Sequence, residues 1–124
     1  MKKVGSVVTV IVLLFTCCVA AADISSDLKK AFDAKNPTEV AQYCRKAAEQ
    51  GLAEAQLNFG FLYEFGQGVS KSYKWAYVWL NIAAAYLQGE EREKAIRARD
   101  TVEKKLTPEQ LAEVQKISAE WEPR

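Results

Sequence analysis

The chain has 124 residues with 17 basic and 16 acidic side chains, no histidine and a formal net charge of +1. A chain of this length forms at most one modest domain, and a nearly neutral one lacks the positive surface on which nucleic-acid binding depends. Without histidine, the commonest general base, the commonest zinc ligand and any Ser-His or Cys-His catalytic pair are excluded.

The first 22 residues have the three parts of a secretory signal peptide. Two lysines form a basic start, residues 4–19 form an apolar run, and Ala20–Ala22 supply the small residues that precede a cleavage site. We therefore predict cleavage before Asp23 and an exported protein, periplasmic or secreted, of bacterial type. The apolar run is short for a bilayer span of about 20 residues, so a retained membrane anchor is the weaker alternative.

Cleavage changes the charge and the cysteine content of the working protein. The segment carries two basic side chains and no acidic ones, so the mature chain is close to neutral and slightly acidic. It also carries two of the three cysteines and leaves Cys44. A lone cysteine cannot form an intramolecular disulfide, so the stability of the mature chain must come from packing.

Two helices are predicted between the cleavage site and residue 51. The first, over residues 25–35, is short and amphipathic. The second begins after Asn36, a capping residue that is followed by Pro37 at the first helical position and by Glu39 at the third. It is predicted to run to about Gln50 and to end at Gly51.

The stretch from Ala53 to Gly89 is predicted to form one helix-turn-helix pair. Its turn contains Gly66 and Gly68, which can adopt positive φ at little cost, and Ser70 or Ser72 can cap the second helix. Small residues stand where two helices must approach each other, and large ones fill the gaps between them: Ala55, Gly60, Ala76, Ala83 and Ala84, against Phe59, Leu62, Tyr63, Trp79 and Ile82.

An offset of 36 residues superposes the preceding helix on this pair. It places Cys44 on Leu80 and the Ala47-Ala48 dipeptide on Ala83-Ala84. A period in this range is typical of stacked helix pairs. We accordingly predict that Cys44 is a small buried side chain, since free cysteine is among the most buried residue types; a reactive thiol and an intermolecular disulfide are the alternatives.

The same stretch resembles the Sel-1-like repeat, an α/α repeat related in shape to the tetratricopeptide repeat. The residues that carry the resemblance are Ala55, Phe59, Gly60, Tyr63, Gly66, Gly68, Tyr73, Ala76, Trp79 and Ala83. The resemblance implies one domain over residues 23–124, with a complete repeat at 53–89 and degenerate flanking hairpins at 23–52 and 90–124. Some secreted members of the family carry a disulfide in each helix pair, and this chain departs from them.

Two further helices are predicted after Gly89. The first is rich in charge, with acidic residues at its start and Lys104 and Lys105 at its end, a polarity that suits the helix macrodipole. The second follows Thr107, with Pro108 at the first helical position and Gln110 at the third to complete a capping box. This pair lacks the glycine turn of the central stretch. The whole mature chain is therefore predicted to be all-α, a short solenoid of about three helical hairpins without a sheet.

Motifs of catalysis and of cofactor binding are absent from the mature sequence. It has no CxxC, no GxSxG, no phosphate-binding GxxxxGK and no calcium loop. Carboxylate pairs such as Glu90-Glu91 stand in highly charged helices, where a solvated face is expected. We therefore predict no catalytic residue, cofactor or metal. A hydrolase acting on cell-wall or β-lactam-like substrates, proposed for some disulfide-rich relatives, is the alternative that the resemblance brings.

The remaining candidate for function is a surface. The resemblance implies polar residues where this chain has Phe65 and Trp75, and Phe61 lies one turn before Phe65. We hypothesise that these three aromatic residues, with Gln56 and Asn58 as hydrogen-bonding neighbours, form a protein-binding patch. The alternative is that they pack in the core.

These observations predict a non-catalytic, exported adaptor that binds a protein or peptide partner on the concave face of its solenoid. No nucleic-acid partner and no stable membrane span after cleavage are expected. A self-associating structural subunit remains a further alternative because so short a stack exposes an end, and we predict a monomer or a weak homodimer.

Overall fold

The computed structural model describes residues 36–123, which form five α-helices and, within that range, no strand. In chain order they are α1 (Pro37–Glu49), α2 (Ala53–Phe65), α3 (Tyr73–Tyr86), α4 (Gly89–Glu103) and α5 (Pro108–Glu120). The predicted signal peptide and the predicted helix at 25–35 lie outside the described residues. The prediction of an all-α helical solenoid is confirmed, and the helices are joined by short turns.

The helix starts follow the capping pattern of the sequence. The Asn36 side chain accepts a hydrogen bond from the Glu39 backbone N–H, and Ser72 accepts one from the Trp75 N–H at 3.2 Å. At α5, the Thr107 hydroxyl accepts from the Gln110 N–H and the Gln110 side chain accepts from the Thr107 N–H, a complete capping box. Each cap satisfies backbone donors that the first helical turn leaves free.

The turn between α2 and α3 depends on its two glycines. Gly66 has a φ of 67° and Gly68 a φ of 73°, both in the left-handed region. A Cβ on Gly68 would overlap the carbonyl oxygen of Pro37 and lie 3.0 Å from the Cβ of Ala41. The absence of a side chain therefore lets this turn lie directly against α1, in addition to permitting the positive φ.

Helices α2 and α3 approach each other at Gly60. A Cβ at this position would lie 2.7 Å from the Cγ of Leu80, which is fully buried. The residues that precede these two in the chain, Phe59 and Trp79, also pack on each other, with ring centroids 5.3 Å apart. The pattern of small and large residues thus positions the two helices as the sequence predicts.

Helix α3 is the centre of the molecule, since α2, α4 and α5 all pack on it. Its buried residues face several directions: Ala76, Tyr77, Val78, Trp79, Leu80, Ile82, Ala83 and Ala84. The 36-residue offset is consistent with this core, because Cys44, Ala47 and Ala48 are buried like their counterparts Leu80, Ala83 and Ala84. Cys44 is 1% exposed, so the prediction that it is a buried side chain is confirmed.

The last two helices are arranged differently from the central pair. Both α4 and α5 pack extensively on α3 and only slightly on each other. Their buried residues are few, with Ala95 and Val102 on α4 and Val114 on α5. A space of about 460 Å³ lies between them, lined among others by Arg92, Arg99 and Ser118. This terminal pair is open along one side.

Candidate functional site

Two of the predicted aromatic residues form an exposed stack on α2. The rings of Phe61 and Phe65 lie 6.4 Å apart between centroids with an interplanar angle of 17°. Phe65 is 63% exposed, Phe61 is half-buried, and Asn58 is exposed on the same side of the helix. We call these three residues the phenylalanine face. The alternative of a core role does not apply to Phe65, most of whose surface is in contact with solvent.

Trp75 lies on a different side of the molecule. It is 46% exposed, and its ring contacts that of Tyr63, with centroids 6.5 Å apart. Tyr63 is two residues from both Phe61 and Phe65, which is roughly 200° around an α-helix. The hypothesis of one patch therefore has to be divided: Trp75 is an exposed aromatic residue, but it is separated from the phenylalanine face by the body of α2.

Gln56 requires a correction, because it is not on the surface. Its side chain is fully buried, and its Nε2 donates a hydrogen bond to the carbonyl oxygen of Ala48 at 3.2 Å. The Oε1 atom of Gln56 has no hydrogen-bond partner among residues 36–123. Gln56 joins α2 to α1 and cannot contact a partner as predicted. The signal was available in the sequence, because its neighbours one turn later, Phe59 and Gly60, are core residues.

The residues that carry the repeat resemblance have structural roles. Most of them are buried between helices: Ala55, Phe59, Gly60, Ala76, Trp79 and Ala83. Tyr63 and Tyr73 are half-buried at the edge of the core, and Gly66 and Gly68 form the turn. These positions explain the geometry of the repeat and leave surface functions to other residues.

Sequence reasoning missed a cavity that is built around Trp75. It has a volume of about 570 Å³ and lies between α3, the end of α5 and the segment Trp121–Pro123. The ring of Trp121 meets Trp79 edge-on at 6.0 Å between centroids. We call this space the tryptophan cavity. Its lining residues within the described range come from positions 49, 75, 79, 117 and 120–123, so no local motif in the sequence indicates it.

Two side chains of the described residues have shifted pKa values, and both shifts have ordinary causes. Burial raises the pKa of the Cys44 thiol to about 11, which leaves it protonated and unreactive at neutral pH. Burial also raises the pKa of Glu64, and the charge of Lys71 opposes that shift. Neither Cys44 nor Glu64 lines the space between α4 and α5 or the tryptophan cavity. Within residues 36–123, no group of three histidine, cysteine or acidic residues is placed to hold a metal ion.

The ionic contacts of the described residues lie at the surface. Lys74 on α3 contacts Glu113 on α5 at 2.8 Å, and Arg99 on α4 donates hydrogen bonds to Asp100 and to Asn81 on α3. Exposed pairs of this kind contribute about 0–1 kcal/mol each. These contacts therefore contribute little to the unfolding free energy, although Lys74–Glu113 joins α5 to α3 and Arg99–Asn81 joins α4 to α3. None of the helices within residues 36–123 combines the length and apolar character needed to cross a bilayer.

Comparison with known proteins supplies two relatives, while no family model matches the chain. Over 69 residues the chain is 36% identical to the chitin synthase regulator SKT5 of Saccharomyces cerevisiae, a match that covers 53% of this chain and 9% of that protein. It also resembles the crystal structure of c5321, a protective antigen present in uropathogenic Escherichia coli strains that displays an SLR (Sel-1-like repeat) fold. That match has a TM-score of 0.63 and 34% identity and covers 70% of this chain and 18% of the antigen. The chain thus spans less than a fifth of either relative.

Proposed function

The chain is a Sel-1-like repeat protein, and from this we propose that it is an exported, non-catalytic module that binds a protein or peptide through the phenylalanine face. Helical repeat proteins present extended surfaces to their partners, and their binding sites are built from side chains that the repeat geometry itself does not need. Phe65 and Asn58 are such side chains in this chain, and Phe61 packs against the core while it stacks on Phe65.

The observation that carries the proposal is the exposure of Phe65. The Phe65 side chain is 63% exposed, so folding removes little of its apolar surface from water. A partner that covers the ring would remove the rest, and this burial favours binding. Phe61 stacks beneath it and limits its movement, so a partner would have less side-chain entropy to remove. An aromatic anchor next to a polar side chain such as Asn58 is the usual composition of a binding hot spot.

Support for a non-catalytic role comes from the chemistry of the side chains. The sequence contains no histidine, and the single cysteine of the described residues is buried with a raised pKa. A hydrolase requires an activated nucleophile, and a buried protonated thiol is a poor one. Support for export comes from the first 22 residues, which have the pattern of a signal peptide.

The binding proposal is tested by selecting peptides from a displayed random library on the purified protein. Selected peptides are then titrated by calorimetry against the wild type and the Phe65→Ala variant. We expect Phe65→Ala to weaken binding about tenfold or more, which corresponds to about 1.4 kcal/mol for a hot-spot side chain. Arg97→Ala is the control, because Arg97 is a large side chain that is 72% exposed on another helix and lines neither cavity.

Three results would contradict the proposal: a selection that enriches no peptide, an equal loss of affinity in Arg97→Ala, or unchanged affinity in Phe65→Ala.

Export is tested separately. The full-length gene is expressed in a Gram-negative host, and the mass of the protein in the periplasmic fraction is measured. We expect a chain that begins at Asp23; a full-length mass in the cytoplasm would refute export and leave the binding test intact.

A further inference from the structure

The tryptophan cavity contains all three tryptophans of the protein. Trp75, Trp79 and Trp121 are the only ones in the sequence, and each lines this one space. Trp75 is 46% exposed, Trp121 is half-buried and Trp79 lies deeper, 7% exposed. The rings therefore extend from the rim of the cavity to its interior, and Trp75 leaves much of its surface open to a ligand.

The position of Trp121 is fixed by contacts on both sides of it. Its ring meets the rings of Trp79 and Tyr86 edge-on, at 6.0 and 6.3 Å between centroids. Two residues later, Pro123 lies against the turn between α1 and α2, where a Cβ on Gly51 would be 3.5 Å from it. The segment Trp121–Pro123 thus closes one side of the cavity, and the wall is formed before any ligand binds.

Within residues 36–123, the charged side chains that line the cavity have one sign. Glu49, Glu120 and Glu122 line it, and no lysine or arginine of that range does. Arg45 contacts Glu49 at 3.2 Å from a position that is itself 66% exposed, and Glu120 and Glu122 form no ion pair with another residue in the range 36–123. Three carboxylates are thus gathered around three indole rings in a protein whose overall charge is close to zero.

Indole faces and carboxylates attract the same kind of group. The face of a tryptophan ring is the best aromatic partner for an ammonium or guanidinium ion, and the attraction grows when the pair is shielded from water. Carboxylates form charge-assisted hydrogen bonds with the same ions, in bidentate form with guanidinium. An anionic or purely apolar ligand would leave the carboxylates of Glu120 and Glu122 without an ionic partner.

We infer that the tryptophan cavity binds a basic side chain, an arginine or a lysine, that a partner peptide presents. The side chain stacks on Trp75, and its charged end reaches Glu120 and Glu122. A cavity of about 570 Å³ also accommodates the residues that flank the inserted side chain. This inference rests on the proposed function only in taking the partner to be a peptide, and it concerns a surface other than the phenylalanine face.

The test uses the intrinsic fluorescence of the purified protein, since every tryptophan lies at the site. The probe is an arginine-rich peptide without aromatic residues, capped at both ends, and the matched control is the same peptide with citrulline in place of arginine. Citrulline has nearly the same shape and no charge. We expect a saturable change in indole emission with the arginine peptide, at least about tenfold tighter than with the citrulline peptide.

Variants assign the response to particular side chains. We expect Trp75→Leu to weaken binding of the arginine peptide about tenfold, with Trp79 and Trp121 still reporting. We expect Glu120→Gln combined with Glu122→Gln to weaken it severalfold and to reduce its dependence on salt. Glu109→Gln is the control, because Glu109 is exposed on the same helix and does not line the cavity; its affinity should equal that of the wild type.

Equal binding of the arginine and citrulline peptides, or an equal loss in Glu109→Gln, would overturn the inference. So would an emission change that depends on protein concentration without peptide, which would assign the cavity to a second copy of the chain. Phe65→Ala separates this inference from the proposed function, since it should leave the fluorescence titration unchanged. Loss of binding to library peptides alone would concern the phenylalanine face and not the cavity.

Discussion

Helices α2 and α3 follow one another in the chain, as do helices α4 and α5, but the two pairs are held by different features. In the first pair, Gly60 has no side chain, so Leu80 packs directly against it. The turn of this pair contains two glycines with left-handed φ and lies against α1. In the second pair, the helices pack separately on α3 and leave a space of about 460 Å³ between them. Glycine at the contact thus lets α2 and α3 pack closely, whereas the charged helices α4 and α5 have no such contact and remain apart.

The largest expected difference between the two regions comes from one substitution made in both. Gly68→Ala places a methyl group against the Pro37 carbonyl at a positive φ, and we expect a loss of roughly 3 kcal/mol or more in unfolding free energy. Gly89→Ala also requires a positive φ but meets no atom within 4 Å, so we expect a loss of about 1 kcal/mol. Urea denaturation followed by circular dichroism measures both.

Equal losses in the two glycine variants would show that positive φ, and not the close approach to α1, sets the cost. That result would remove the main distinction between the tightly packed region and the open one. A loss in Gly89→Ala larger than that in Gly68→Ala would reverse it. The slope of the denaturation curve should be the same in both variants, because neither changes the surface that unfolding exposes.

Cys44 provides the second test, through the dependence of stability on pH. The pKa of the Cys44 thiol is about 11 in the folded state, raised from 9.0, so the folded protein holds this proton more tightly than the unfolded chain. The resulting contribution to the unfolding free energy is fully present below pH 9 and is lost as pH rises through 11. We expect the wild type to lose roughly 2–3 kcal/mol more than Cys44→Ala between pH 8 and pH 12, at 1.36 kcal/mol per pKa unit. Urea denaturation of both proteins at each pH gives this difference.

The comparison between the two proteins removes the contribution of lysines and tyrosines, which are common to both. Equal pH dependence in the wild type and Cys44→Ala would mean that the thiol ionises as easily in the folded state as in the unfolded one. The tight packing of α1 on α2 would then be in doubt. Slow reaction of native Cys44 with a thiol reagent at neutral pH is an independent check of the same burial.

Thr107 tests how far the open pair depends on local caps. Thr107→Ala removes a capping box at the start of α5, and we expect a loss of about 1 kcal/mol in unfolding free energy. Thr107→Ser keeps the hydroxyl and is the control, with a change of only a few tenths. A loss above about 2 kcal/mol would exceed what a cap contributes and would show that α5 depends on this turn for its packing on α3.

The smallest expected effect is that of Phe65→Ala on stability. Because the ring is mostly exposed, we expect the unfolding free energy to change by no more than about 0.5 kcal/mol. Thermal and urea denaturation of the wild type and the variant measure it. A loss of about 2 kcal/mol or more would place Phe65 in the structural core of the tight pair and would remove the basis for the phenylalanine face.

Local chemistry explains which parts of the fold could be predicted from the sequence. The caps at Asn36, Ser72 and Thr107 and the turn glycines act within a few residues, so their pattern is legible without tertiary structure. The 36-residue offset predicted the burial of Cys44 because the repeat gives equivalent positions equivalent surroundings. The opening of the terminal pair was not predicted, since it depends on where α4 and α5 each dock on α3.

The candidate surfaces were less predictable for the same physical reason. The departure of Phe65 from the repeat pattern left both an exposed position and a core position open. The burial of Gln56 depends on a carbonyl of α1 eight residues earlier. Trp121 is brought to Trp79 across 42 positions of the chain. The sequence shows that a residue is aromatic, but tertiary packing decides which other ring it contacts.

The central place of α3 has a consequence for how the molecule can be divided. Helices α2, α4 and α5 each bury apolar surface on this one helix. A break in the chain before or after α3 therefore gives two fragments, each of which lacks a helix that its own apolar residues pack against. Residues 36–65 alone, or 89–123 alone, would remain unfolded in isolation and would regain structure only when mixed with a fragment that carries Tyr73–Tyr86.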